Sequence, residues 1–132
     1  MRRGHGELLA GDAGELVGVS GTTIGQWARR GYIRASRSSE LPHVYSVEDV
    51  GEAAIVASLL RRGVRHADIR RAIERLRSYG DWPLSEAQLA TTPDARIVLR
   101  EDGQSFVLTP RGWQTVAMAE DVEDVRLRLR HR

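Results

Sequence analysis

Gly18-Val19-Ser20-Gly21-Thr22-Thr23-Ile24-Gly25-Gln26-Trp27 is the stretch on which the reading of this chain turns. Just before it, Ala13, Leu16 and Val17 share one face of a short helix that Asp12 can cap and Gly18 ends. Ser20 can then cap a second helix that carries Ile24 and Trp27 inward. Two short helices across so tight a turn predict a helix-turn-helix. The outward positions of the second helix are Gly21, Thr22, Gly25, Gln26 and Arg29, which form a flat, polar surface suited to a DNA groove. Trp27 has two readings, a core residue at an inward position or a stacking platform for bases.

Downstream, Gly31-Tyr32-Ile33 leads into Arg34-Ala35-Ser36-Arg37, a polar tip and a return through His43-Val44-Tyr45, the outline of a short hairpin. Between positions 16 and 39 the chain carries Arg29, Arg30, Arg34 and Arg37 and no acidic residue, a local charge of +4 where the whole chain is only +2. Such a patch favours a polyanion.

These residues resemble the MerR-type winged helix-turn-helix transcription regulators. The matching pieces are Gly18-Val19-Ser20, Thr23-Ile24, Trp27, Gly31-Tyr32-Ile33, Arg37, Tyr45, Asp49-Val50, Gly63-Val64 and Ile69-Arg70, in the family's order across residues 8–76. Gly25 and Gln26 stand where the family usually has an Arg-aromatic pair, and His43 stands where it has a wing arginine. The resemblance implies a DNA-reading head with a basic wing, and these departures imply an operator preference of its own. A homodimer is expected because a single small module has few base contacts and a paired half-site doubles them, although the last helical region is too short for the long antiparallel coiled coil by which the resembled regulators dimerise.

The composition bounds the alternatives. With 132 residues, 41% hydrophobic and 29% charged, the chain reads as a soluble globular protein of one small domain with an appendage. All 20 basic residues are arginine. Residues 1–80 hold 13 arginines against 9 acids and residues 81–132 hold 7 against 9, which puts the basic excess in the first part. The absence of cysteine excludes a disulfide framework, a thiol nucleophile and the thiol-based metal sensing of some members of the resembled family. Arg2 and Arg3 lead into Gly4-His5-Gly6-Glu7 and not into an apolar run, so the reading is cytoplasmic, with no signal peptide and no membrane partner.

Along the rest of the chain, Ser46 with Glu48 and Asp49 predicts a capped helix through Val50, Ala54, Ala57 and Leu60 that stops at Gly63. A second begins near His66 and buries Ile69, Ala72, Ile73 and Leu76. Asp81-Trp82-Pro83 marks a boundary, giving a head of residues 1–80 and an interaction or dimerisation region of residues 81–132. In that region residues 85–89 predict a helical turn or two. Runs 96–100 and 104–108 predict a β-hairpin about Asp102-Gly103. Pro110 opens a last helical region that continues over residues 119–130. The predicted fold is mainly α with small β, a winged helix-turn-helix head followed by a short β-hairpin and a C-terminal helix.

No enzyme is expected. His5, His43, His66 and His131 lack metal-ligand spacing, Ser36, Ser38 and Ser39 read as a polar wing tip, and no glycine-rich loop joins a strand to a helix. No cofactor is implied. The favoured reading is a sequence-specific regulator of double-stranded DNA, with residues 20–30 in the major groove. Ser20, which can cap that helix, is a candidate DNA-binding residue at its start. Thr22, Thr23 and Gln26 are candidates for base edges or nearby phosphates, Arg29, Arg30, Arg34 and Arg37 for phosphates, and His43 or Tyr45 for the backbone beside the wing. Tyr45 as a packing residue is the alternative. Two further functions remain open: an antitoxin-like autoregulator that holds a protein partner through residues 81–132, and a phage-type architectural or excisionase-like protein that bends DNA.

Overall fold

The computed structural model describes residues 3–116, 122–127 and 129. Internal contacts group the chain into two compact units, residues 1–57 with 127–132, and residues 58–126.

In the first unit, α1 (Ala10–Val17) and α2 (Gly21–Arg29) form the helix-turn-helix. Asp12 does not cap α1. Leu9 takes the cap position with extended backbone and no side-chain bond, and Asp12 stands in the first turn, where the helix dipole favours its charge. Gly18 ends α1 in the left-handed conformation, its N–H bonded to the Gly14 carbonyl. Ser20 caps α2 by accepting the Thr23 N–H at 3.0 Å. Ile24 and Trp27 are buried with Ala13 and Val17, so Trp27 is a core residue. Burying two side chains of this size contributes about 1.5–3 kcal/mol each.

The helices meet through glycine. A Cβ on Gly14 would lie 2.5 Å from the Val19 carbonyl oxygen, and one on Gly21 would lie 3.1 Å from the Gly11 Cα. The loop after α2 is closed by one isolated bridge, Ser38 with Val44, and a second isolated bridge joins Leu8 to Tyr45. The expected hairpin is thus reduced to single pairings. Helix α3 (Val47–Arg61) follows, with Ser46 and Asp49 in a reciprocal capping box: Ser46 N–H to Asp49 Oδ2 at 2.8 Å, Asp49 N–H to Ser46 Oγ at 3.0 Å. Every residue from 50 to 57 is buried, Glu52 included, so α3 presents no exposed face along that stretch.

In the second unit α3 ends at a left-handed Gly63, and α4 (His66–Arg75) buries Ile69, Ala72 and Leu76, while Ile73 is only half-buried. A 3-10 turn (Arg77–Tyr79) and the short α5 (Pro83–Glu86) lead into a sheet. That sheet corrects the expected hairpin: it has five antiparallel strands, β1 (Gln88–Thr91), β2 (Ile97–Glu101), β3 (Gln104–Thr109), β4 (Gly112–Val116) and β5 (Glu123–Asp124), in the order β4-β3-β2-β1-β5. The Asp102-Gly103 turn joins β2 to β3 as expected, both residues at positive φ.

Three expectations fail here. The helical turn stops at Glu86, because Leu89, Ala90 and Thr91 form a continuous buried run paired with Leu99, Val98 and Ile97. Residues after Pro110 form β4 and not a helix, since the β-prone Trp113, Thr115 and Val116 pair with β3. The expected C-terminal helix falls partly outside the described residues. Where it is described, Glu123 and Asp124 pair with Thr91 and Ala90, and Arg62 takes the Glu123 and Asp124 carbonyls at 2.9 and 2.8 Å, carbonyls that a helix would have bonded internally.

Two glycine substitutions should move stability in opposite directions. Gly14→Ala should lower it by about 1–3 kcal/mol through overpacking. Gly25→Ala, whose Cβ meets only the Arg29 guanidinium at 3.4 Å, should raise it by up to about 1 kcal/mol through helix propensity. Urea denaturation of both variants checks the pair.

Candidate nucleic-acid interface

Helix α2 carries Thr22, Gln26 and Arg29 at i, i+4 and i+7, so one exposed stripe runs its length with the half-buried Gly25 beside it. Ser20 and Thr23 lie at its start, but their hydroxyls are engaged with each other at 2.9 Å and in the cap. They fix the helix end, and Thr22 and Gln26 present the free polar groups. Arg29 and Arg30 are exposed at the other end.

Beside that end a groove is lined by Ala28, Gly31, Arg34, Ser38, Ser39 and His43, with a volume of about 760 Å³. Arginine, hydroxyl and imidazole side chains share its walls with the apolar Ala28, Ile33 and Ala35, and Glu40 also lines it. Arg34 is half-buried within it. Arg37 is engaged at the loop root. Its guanidinium bonds the Gly4 carbonyl at 3.3 Å and the Glu7 carboxylate at 3.4 Å, and its own carbonyl accepts from Arg3 at 2.7 Å. Sequence reasoning could not have found this pairing, because Glu7 lies 30 residues away. Arg2 lies outside the described residues.

Tyr45 is 1% exposed, and its hydroxyl has no hydrogen-bond partner among the described residues. Its ring meets the His43 ring edge-on, with centroids 6.4 Å apart. Burial raises the phenol pKa and the nearby Asp49 raises it further, against a smaller opposing effect of Arg29. The hydroxyl therefore stays protonated across the physiological range, and the side chain belongs to the core under the groove.

The root of the loop is held by Ser36, a residue the sequence reading passed over as wing polarity. Its N–H donates to Asp49 Oδ2 at 2.7 Å, and its hydroxyl lies 2.8 Å from Ser46 Oγ and 2.6 Å from the Arg3 carbonyl. The helix-turn-helix, the loop and the capped α3 occupy the span that decides identity: residues 10–76, half of the chain, match the family described as MerR HTH family regulatory protein. The chain belongs to the MerR family. Searches among curated proteins and among solved structures gave no match.

As a MerR-family protein it is a DNA-binding transcription regulator, a family of regulators and not of enzymes. The MerR match covers α1, α2, the 34–45 loop and α3, and ends just after α4. Among the described residues no group of three His, Asp or Glu side chains is placed to hold a metal ion, and no helix is long and apolar enough to cross a membrane.

Ahead of the loop, the His5 N–H and imidazole both engage the Glu48 carboxylate, at 2.8 and 2.5 Å. The imidazole bond, then the backbone bond, hold the Glu48 pKa below its ordinary 4.5. The stabilisation is therefore present above the ordinary value and lost as pH falls through the depressed one. His5→Ala should return the Glu48 titration part of the way toward 4.5, the backbone bond surviving, as read by carboxyl NMR. Tyr45→Phe should stabilise the free protein by about 1 kcal/mol, since it deletes a buried unpaired hydroxyl. Thermal denaturation checks this, and a loss of stability would show that the hydroxyl is bonded.

Proposed function

We propose that this protein is a bacterial, cytoplasmic, sequence-specific regulator that sets α2 in the major groove of double-stranded DNA and lays the groove beside the 34–45 loop along the phosphate backbone. The observation that carries this reading is the stripe Thr22–Gln26–Arg29, free of acidic residues, next to a groove with Arg34, Ser38, Ser39 and His43 on its walls. Gln26 can bond adenine through two atoms, and the Thr22 methyl can meet a thymine methyl. Gly25 leaves the helix backbone uncovered, which allows a close approach to the groove floor. Arg29, Arg30 and Arg34 neutralise phosphates, and their contacts position the helix without reading sequence.

In this reading Ser20 and Thr23 act by fixing the helix start, Tyr45 by supporting the His43 side of the groove, and Arg37 by tying the loop root to the N-terminal arm. A MerR head this small has few base contacts, so the protein acts as a homodimer on paired half-sites, which doubles them.

Fluorescence anisotropy with the upstream region of the protein's own coding sequence against scrambled duplex, over a salt series, tests the reading. Arg34→Ala should weaken binding to both duplexes and flatten the salt dependence by about one unit per lost phosphate contact. Gln26→Ala should leave the salt slope unchanged and reduce discrimination at one base pair, by about 1–3 kcal/mol. Unchanged specificity in Gln26→Ala would remove α2 from the major groove.

A further inference from the structure

We propose that the free edge of β4 is the surface through which two copies of this chain pair, strand against strand, about a two-fold axis at Gln114. The inference deepens the homodimer in the preceding reading and rests on it for its purpose, whereas the geometry of the edge stands independently.

The register fixes which backbone groups are available. Glu101 and Gln104 flank the two-residue turn, so they form a hydrogen-bonded pair, and the alternation of an antiparallel ladder then turns the N–H and C=O of Ser105, Val107 and Thr109 toward β4. Their partners are Val116, Gln114 and Gly112. The N–H and C=O of Trp113 and Thr115 consequently point away from the sheet, and among the described residues β4 is the terminal strand.

The two edges of this sheet differ in chemistry. At the far edge β5 is two residues long, both acidic. Arg62 occupies their carbonyls and lies 3.6 Å from the Glu123 carboxylate, and Arg100 lies 3.3 Å from that of Asp124. Short length and charge are the usual guards of an edge strand. β4, Gly-Trp-Gln-Thr-Val, has five residues and neither a charge nor a proline. Among the described residues, then, a β-prone and unpaired edge stands opposite a guarded one, which is the edge we assign to pairing.

A second copy fits it because the strand is complementary to itself. With the axis at Gln114, Trp113 stands opposite the partner's Thr115 and the outward N–H and C=O groups of both are exchanged. Gly112 stands opposite the partner's Val116. Gln114, exposed in the single chain, meets the partner's Gln114 at a position without backbone bonds, where each amide can both donate and accept. The cations nearest the strand, Arg111 and the Arg75 guanidinium over Gly112, lie at the strand's start. In the pair the two starts are four residues apart along the sheet, about 14 Å, beyond the screening length of about 8–10 Å at ordinary salt.

The chain has no cysteine, so single thiols report the register directly. Gln114→Cys should form a disulfide-linked dimer under mild oxidation, because residues opposite each other at such a position have Cα atoms about 4.5 Å apart, within disulfide reach. Thr115→Cys should not, being offset by two residues from its own copy. Thr115→Pro removes an outward N–H without touching the β3 ladder and should raise the dimer dissociation constant about tenfold or more in sedimentation equilibrium, two hydrogen bonds being lost per dimer. Should that variant lose its circular dichroism, Thr115→Lys keeps every backbone group, sets two like charges near each other, and should weaken the dimer likewise. A wild-type chain that stays monomeric at high concentration, equal cross-linking of the two cysteine variants, or a dimer indifferent to both Thr115 variants would overturn the proposal. Salt-dependent DNA binding by the wild type, measured alongside, separates that outcome from a failure of the DNA reading, which would abolish binding itself.

Discussion

The buried carboxylate of Asp49 is the constraint on which the DNA-reading unit depends. One oxygen, Oδ2, accepts the N–H of Ser46, the N–H of Ser36 and contact from the Ser36 hydroxyl, all within 2.8 Å, at a site with no solvent exposure. Leaving a charge there without donors would cost several kcal/mol. Three donors from two loop residues offset that cost, and they do so only when residues 36 and 46 stand at one place over the first turn of α3. The proton arrangement is equally restricted. The Ser46 oxygen accepts from the Asp49 N–H and from the Ser36 hydroxyl, and the single Ser36 proton is shared among Ser46 Oγ, Asp49 Oδ2 and the Arg3 carbonyl. A loop with a single bridge of its own is thereby held at its root, and the N-terminal arm with it.

This explains what the sequence could and could not disclose. The half of the network that is local, Ser46 and Asp49 three residues apart, is a capping signature and was legible. So were Gly18, Ser20 and the Asp102-Gly103 turn, each the product of backbone geometry within four residues. Ser36 was not, because nothing near it in the chain indicates that its partner lies 13 residues on. The sheet was missed for the same reason. β2 and β3 declare themselves through their turn, whereas β1 is a four-residue run after a helix and β5 is two acidic residues whose strand character comes from Arg62 and the edge of β1. In the site, the α2 stripe followed from helical periodicity, but the diversion of Arg37 to Glu7 and the burial of Tyr45 are tertiary facts.

Glycine does two opposed jobs in the helix-turn-helix. Gly14 and Gly21 are small because backbone comes within about van der Waals contact of them, and these positions set how closely α1 and α2 pack. Gly25 is small although its surroundings are open, and it weakens α2 where a better helix former would fit. It sits between Thr22 and Gln26 on the exposed side and fills no packing need.

The charge distribution follows the same division of labour. In the first unit the arginines flank α2 and the loop with no acid between positions 16 and 39 in the sequence, and Arg37 reaches Glu7 of the N-terminal arm. In the second unit arginines are set against acids in pairs: Arg71 with Asp68 at 2.7 Å, Arg62 with Glu123 and Arg100 with Asp124. Exposed pairs of this kind contribute little to stability. Their effect is to cancel charge locally and, at β5, to close an edge. The β4 strand itself carries no charge, and the nearest cations, Arg75 and Arg111, stand at its start.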